Sequence, residues 1–357
     1  MARQPFVGWS GKELFSILTE AFPEVLPGLA TRLRGMFNND SAWIGPRKEW
    51  LEAAGISFTN VFNFRPERNS IGAICCDIPT PGWPRLGQKN AQNFPNGAFL
   101  QEKYFSELER LKEEIKQSKP NLIVACGNTA CWAVLKATNI SSIRGSIALG
   151  EPPLASGIKI LPTYHPAGVL RNWSWRPIVV ADFLKSKREG EFPELKRPRR
   201  GIVISPTLGE ARAWIQDTLS KPERYDLLSV DIETVKKQIS CIGFARSKDS
   251  ALVVPFIAPP GKDYWETLED ELSAWKIVRD LLENPIPKVF QNGMYDLQYI
   301  FKMGIRTKNC LHDTMLLHHS IYPELLKGLG FLGSIYTNEA SWKLMNRPKA
   351  DTEKRDE

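Results

Sequence analysis

SVDIETVKKQISCIGFA, residues 229–245, decides how the second half of the chain folds. Val230 and Ile232 alternate with Asp231 and Glu233, the two-residue period of a strand with one buried face. Side chains two apart point to one side of a strand, so the pattern aims two carboxylates at one spot beside core-forming neighbours. Two like charges held together and partly desolvated cost free energy unless a cation lies between them. Solvated or salt-bridged charges at a strand end are the simpler alternative. The pair alone does not decide.

Working outward, VFQNGMYDLQYIF (289–301) is an apolar strand that ends near Asn292, followed by a helix with Asp296 near its start. HDTMLLHH then puts Asp313 at the end of the next strand. Upstream, IVISPTLGEARAWIQDTL gives a short strand and a helix, and alternation predicts strands over 227–232, 238–245 and 251–256 and a helix over 264–283. Three antiparallel strands followed by βαβα is the order of a ribonuclease-H-like fold. Carboxylates converging on one sheet edge are hard oxygen ligands suited to divalent cations. In a two-metal site one ion activates a water and the other stabilises the leaving oxygen of a phosphodiester.

DIE, then NGMYD, then HDTML resembles the DEDD-type 3′–5′ proofreading exonuclease domain of family A DNA polymerases, over roughly 201–357. That resemblance implies Asp231, Glu233 and Asp296 as catalytic metal ligands, with Mg2+ or Mn2+ as cofactor. It implies Asn292 as a residue orienting the substrate, Asp313 as structural, and a single-stranded DNA 3′ end as substrate. The His318–His319 pair is expected on a helix surface. The family completes its site with a third motif, Tyr-x-x-x-Asp, which does not follow Asp313. The two-metal site is therefore expected to be incomplete, the domain C-terminally truncated, and the polymerase region of the same polypeptide missing.

The first half is of a different character. Residues 201–357 hold 20 Lys+Arg and 22 Asp+Glu, while the first 200 hold 27 and 18, a net of +9 in a chain of net +7. A basic half suits a polyanionic partner. At 357 residues the chain exceeds one typical core, with 42% hydrophobic and 24% charged residues, so two globular domains are expected. No apolar run approaches a membrane span and no signal-peptide core opens the chain, so no membrane partner is expected. Cys75, Cys76, Cys126, Cys131, Cys241 and Cys310 show no CxxC spacing; a reducing cytoplasmic compartment and no zinc site follow. The eleven tryptophans have no account beyond packing.

REGEFPELKRPRRG (188–201) reads as a linker. Before it come an amphipathic helix over 10–22 with Ser10 as N-cap, a strand over 57–66, a helix ending near Pro120, a buried strand over 121–127, a helix from Asn128, a strand over 158–166 and a closing helix. This is α/β alternation with a mainly parallel sheet. Asn60, Gly127 and His165 fall at strand carboxyl ends, where such sheets bind ligands.

PFVGWSG (5–11), FTNVFNFRP (58–66), IVACGNTA (123–130) and LPTYHPAGVLRN (161–172), in that order, resemble family 4 uracil-DNA glycosylases. They are more similar still to the glycosylase-like N-terminal region of certain bacteriophage family A DNA polymerases. The resemblance implies that Phe6 stacks on a flipped uracil and that Asn60 reads its Watson–Crick edge. It gives His165 the catalytic role of donating to the anionic base and places Arg171 at the DNA backbone. An ordinary core role for Phe6 and a helix-capping role for His165 stay open. The water-positioning motif, Gly-[Glu/Asp]-x-Pro-Gly, is absent because only MARQ precedes Pro5. Phe64 stands where the family has a cluster cysteine, and Cys75 and Cys76 are adjacent, so no iron–sulfur cluster is expected. The expected architecture is an N-terminally truncated glycosylase-like domain over 1–188, a linker over 189–201 and an exonuclease domain over 202–357. The favoured reading is a fragment of a phage-type DNA polymerase, in the host-cell cytoplasm. The alternatives are a non-catalytic DNA-binding scaffold and a uracil-DNA repair glycosylase fused to a nuclease.

Overall fold

The computed structural model describes residue 6 and residues 8–36, 44–87, 92–259 and 261–339. Pro5 and Val7 of the PFVG motif and the tail 340–357 lie outside them. The chain forms two compact units, one holding the residues up to Lys196 together with those from Gly330 on, the other Arg197–Leu329.

The Arg197–Leu329 unit is built on a six-stranded sheet in the order Cys310–Asp313, Lys288–Phe290, Leu228–Val235, Gln238–Ser247, Ser250–Pro255, Gly201–Val203. The three longest strands pair antiparallel, and Lys288–Phe290 runs parallel to both its neighbours. This is the ribonuclease-H-like order expected from the sequence. Lys236 and Lys237, both at positive φ, make the two-residue turn between the first two antiparallel strands, the geometry that matches strand twist. Val230 and Ile232 are buried while Asp231 and Glu233 face out. The apolar face packs with Ile242, Phe244, Leu252 and Val254 against Ile215, Ala274, Val278 and Leu281 of helices Leu208–Ser220 and Leu268–Leu282. The second of these starts four residues later than predicted. Lys262–Asp263 pairs with Ile257–Ala258, and the Thr267 hydroxyl caps the helix by accepting from the Asp270 N–H. His318 is buried and His319 exposed on helix Thr314–Ile321, which corrects the surface placement expected for both.

The other unit holds a three-stranded sheet in which Lys159–Thr163 pairs parallel with Leu122–Cys126 and antiparallel with Ala148–Leu149. Helices Phe105–Ser118 and Asn128–Leu135 bury Leu108, Leu111, Ile115 and Trp132 against Ala125 and Ile160. The strand expected over 57–66 does not form. Arg110 of helix Phe105–Ser118 donates to the carbonyls of Asn60 and Val61 at 2.8 and 3.1 Å, and Glu107 accepts from the Asn63 N–H at 2.9 Å. Side chains thus satisfy backbone groups that a ladder would otherwise use. Leu122–Cys126, expected as a buried strand, lies at the sheet edge and is half-buried apart from Ala125. The first helix, Trp9–Ala21, takes Gly8 as its N-cap, so Ser10 falls inside it.

A buried polar network explains why the described residues from Gly330 on group with this unit. Arg144 (2% exposed) pairs with Asp182 (1% exposed), which also accepts from the Thr163 hydroxyl at 2.7 Å. Arg144 further donates to the Ser334 hydroxyl at 2.8 Å. The Lys185 ammonium donates to the carbonyls of Gly145, Ser334 and Thr337 at 2.6–2.7 Å. Each buried charge therefore has partners, without which its burial would cost several kcal/mol.

Candidate active site and base pocket

Strand Leu228–Val235 presents Asp231 and Glu233 on one face, opposite Gly243 and Cys241 of the next strand. On its other side the parallel strand Lys288–Phe290 pairs only as far as Ser229. The Ile232 N–H, between the two carboxylates, is thereby left for a side chain, and Asp296 accepts it at 2.9 Å. Asp296 lies in the first turn of helix Gly293–Lys302 and is 3% exposed. Burial, then the charge of Asp231, pushes its carboxyl up to about 6, although the Ile232 bond works against the shift. Asp231 is raised too, by partial enclosure and then by Glu233. Asp231 is thus coupled electrostatically to Glu233 on one side and to Asp296 on the other.

Asp313 behaves differently. It caps helix Thr314–Ile321, accepting from the N–H groups of Met315 and Leu316 at 2.8 and 3.4 Å, and also accepts from Asn292 and Gly293 at 3.1 and 2.7 Å. Burial alone would raise its carboxyl, but these four donors outweigh it and hold the group below the usual range. Asn292 is the exposed, left-handed N-cap of the Asp296 helix. Beside the site the pairing slips between Glu233 and Thr234, leaving Ser240 of the facing strand unpaired, and the Thr234 hydroxyl lies 2.7 Å from the Tyr295 hydroxyl. Sequence reasoning passed over Tyr295, although an aromatic residue directly before Asp296 was a usable signal.

Among the described residues no group of three or more His, Cys, Asp or Glu is arranged to hold a metal ion. The donor chemistry of Asp231, Glu233 and Asp296 nevertheless fits one. All three offer hard oxygens, and burial followed by like charge raises the Asp231 and Asp296 carboxyls, a shift that a bound cation would oppose.

In the other unit, Phe6, Asn60, Gly127, Asn128 and His165 line a cleft of 1120 Å3 that continues along Leu122–Cys126. Gly127 and His165 follow the ends of the two parallel strands, as expected; Asn60 does not, because its segment is not a strand. Gly127 sits at φ 85, and an added Cβ would come within 3.1 Å of the His165 Cβ. Glycine there lets the histidine loop approach the start of helix Asn128–Leu135. His165 caps helix Pro166–Arg171, its Nδ1 accepting from the Ala167 N–H at 3.1 Å. Burial and then Arg171 lower its pKa, so the ring is neutral at pH 7 and carries its proton on Nε2. Capping and donation to a ligand are therefore compatible roles.

The Phe6 ring stacks on His165 with centroids 5.6 Å apart and meets Phe58 edge-on at 5.5 Å. The Phe6 carbonyl accepts from Arg47 at 2.7 Å. An added Cβ at Gly11 would fall 1.8 Å from that oxygen, so only glycine fits beneath the Phe6 turn. Arg171 is exposed at the end of the His165 helix.

The family model of the uracil DNA glycosylase superfamily matches residues 1–187, just over half of the 357-residue chain. The chain belongs to the uracil-DNA glycosylase superfamily. No curated protein matches this superfamily member. Among solved structures it is similar to the POL domain of Pol1 from M. smegmatis in complex with DNA primer-template and dNTP, at 19% identity over 37% of this chain and 22% of that one, with a TM-score of 0.29. Escherichia coli RNase D, an exoribonuclease involved in structured RNA processing, matches at 14% identity over 43% of this chain and 39% of its own, TM-score 0.29. The EXD2 exonuclease domain soaked in Mg matches at 18% identity over 38% and 68%, TM-score 0.26. The chain thus spans about a fifth of the first of these proteins and two-fifths of the second. Among the described residues no helix is long and apolar enough to cross a membrane.

Proposed function

We propose that the Arg197–Leu329 unit is a metal-dependent 3′–5′ exonuclease of the proofreading kind, joined to a glycosylase-family unit that binds DNA. On this reading the chain is part of a phage-type family A DNA polymerase. The supporting observation is Asp296, buried and seated on the backbone between Asp231 and Glu233, its carboxyl pushed up to about 6. Asp231, Glu233 and Asp296 would hold Mg2+ or Mn2+, which when bound supplies Lewis-acid activation of water and stabilisation of the leaving oxygen. Asp313 fixes the start of the Asp296 helix, and the exposed Asn292 and Tyr295 lie where a strand end meets the carboxylates. In the glycosylase-family unit the His165 Nε2–H is a donor for a base carbonyl, Phe6 a stacking face and Asn60 a reader of the base edge.

The test uses a 5′-labelled single-stranded oligonucleotide with an excess of the 357-residue chain and Mn2+. The expected result is stepwise shortening from the 3′ end that needs Mn2+ and vanishes with Asp231→Asn. Shortening that survives this substitution, or no Mn2+-dependent shortening at all, overturns the proposal.

A further inference from the structure

Among the described tryptophans, Trp50 and Trp132 are fully buried, and Trp9 and Trp173 are more than half exposed, at 71% and 62%. An indole left in water forgoes one of the largest apolar burials a side chain offers, so two such rings together need a reason. A chain of contacts puts them on one surface. Trp9 opens helix Trp9–Ala21, and Glu13 follows one turn later on the same face. Glu13 accepts from Arg176 at 2.9 Å, and the Arg176 guanidinium lies 5.4 Å from the centre of the Trp173 ring. Glu20 of the same helix also holds Arg176, at 2.7 Å. The Lys12 ammonium lies 4.6 Å from the centre of the Trp9 ring.

Both rings lie close in sequence to the base pocket. Trp9 follows Phe6 by three residues and Trp173 follows His165 by eight, six of which form the intervening helix. Chain geometry keeps the Trp9 Cα within about 11 Å of that of Phe6 and the Trp173 Cα within about 19 Å of that of His165. Leu170 (46% exposed) and the exposed Arg171 stand between His165 and Trp173.

We propose that Trp9 and Trp173 are stacking platforms for unpaired nucleotides of single-stranded DNA on either side of the base held at Phe6 and His165. The inference rests on the reading that this unit binds DNA and adds the strandedness of its substrate. Exposed indole faces stack on any base, at about 5- to 100-fold in affinity per ring, whereas duplex bases hide their faces. The neighbouring exposed groups suit a phosphodiester strand: Arg171 is a cation available to phosphate, and residues 1–200 carry a net charge of +9. A protein-binding patch would instead be depleted of charge at its centre.

The experiment measures fluorescence polarisation of a labelled oligo-dT and of the matched duplex, in EDTA, across several salt concentrations, with the full chain. The expected result is preference for the single strand, with a loss of about 5- to 100-fold for Trp9→Ala or Trp173→Ala and retention in the Trp→Phe variants. The tryptophan variants should keep the wild-type salt slope and melting temperature, whereas Arg171→Ala should lower the slope by about one. Wild-type binding that both alanine variants leave intact overturns the stacking inference but spares the DNA-binding reading. No DNA binding by the wild type overturns the reading itself. A concentration-dependent self-association abolished by the tryptophan variants, with DNA binding unchanged, would make the surface a contact between copies and also overturn the inference.

Discussion

At the Asp231 edge, burial and like charge push carboxyls up, to about 6 for Asp296. In the Phe6 cleft, burial and a nearby cation push the His165 imidazole down. Both shifts disfavour charge, but they ask for different remedies. The carboxylates gain from a cation placed among them, and the neutral imidazole is already in the state that donates to a base carbonyl. On the proposed reading, one site would be completed by an ion and the other by a base. The proposed function therefore assigns recognition to the first unit and hydrolysis to the second.

The largest effect expected on this comparison comes from a group in neither site. Arg144→Met would leave the buried Asp182 carboxylate with the Thr163 hydroxyl as its hydrogen-bond partner and only the Lys185 charge nearby, destabilising the glycosylase-family unit by about 3–5 kcal/mol. Chemical denaturation should show that unit unfolding early while the second keeps its transition. Simultaneous loss of both transitions would show that the units do not fold separately.

Asp313→Ala comes next. It removes the acceptor of four backbone N–H groups at the starts of two helices, at a cost of about 2 kcal/mol to the second unit. A null result would mean that water replaces those bonds.

The smallest effect is a difference in pH dependence. His165 has a folded pKa below its unfolded value, so between the two the unfolded state binds more protons. Its contribution is complete above about pH 6.5 and is lost as pH falls toward the folded value. Asp296, raised from 3.8 to about 6, acts oppositely in metal-free protein. It favours folding below pH 4 and loses that contribution as pH rises through about 6. Melting curves of His165→Gln and Asp296→Asn in EDTA should flatten these opposite slopes, and slopes of one sign would break the contrast.

The second unit was more legible in the sequence than the first, for a physical reason. Alternation around Asp231 served a strand whose ladder partners are its own hairpin neighbours, so a local pattern reported the structure. The burial of Asp296 was not legible, because it depends on Lys288–Phe290 pairing only as far as Ser229 and freeing the Ile232 N–H. Around Asn60 similar alternation misled, since Arg110, fifty residues away, takes the carbonyls a strand would share. His318 packs inward and Trp9 and Trp173 stay in solvent, placements set by tertiary contacts that no local period encodes.

The central claim is that Asp231, Glu233 and Asp296 form one cation site. Titrating Mn2+ into the full chain by calorimetry, beside Asp231→Asn, tests it most directly. The account predicts wild-type binding and an affinity at least about tenfold weaker in the variant, with the second unit's metal-free melting temperature unchanged or raised. Equal Mn2+ affinity in the two proteins would contradict it.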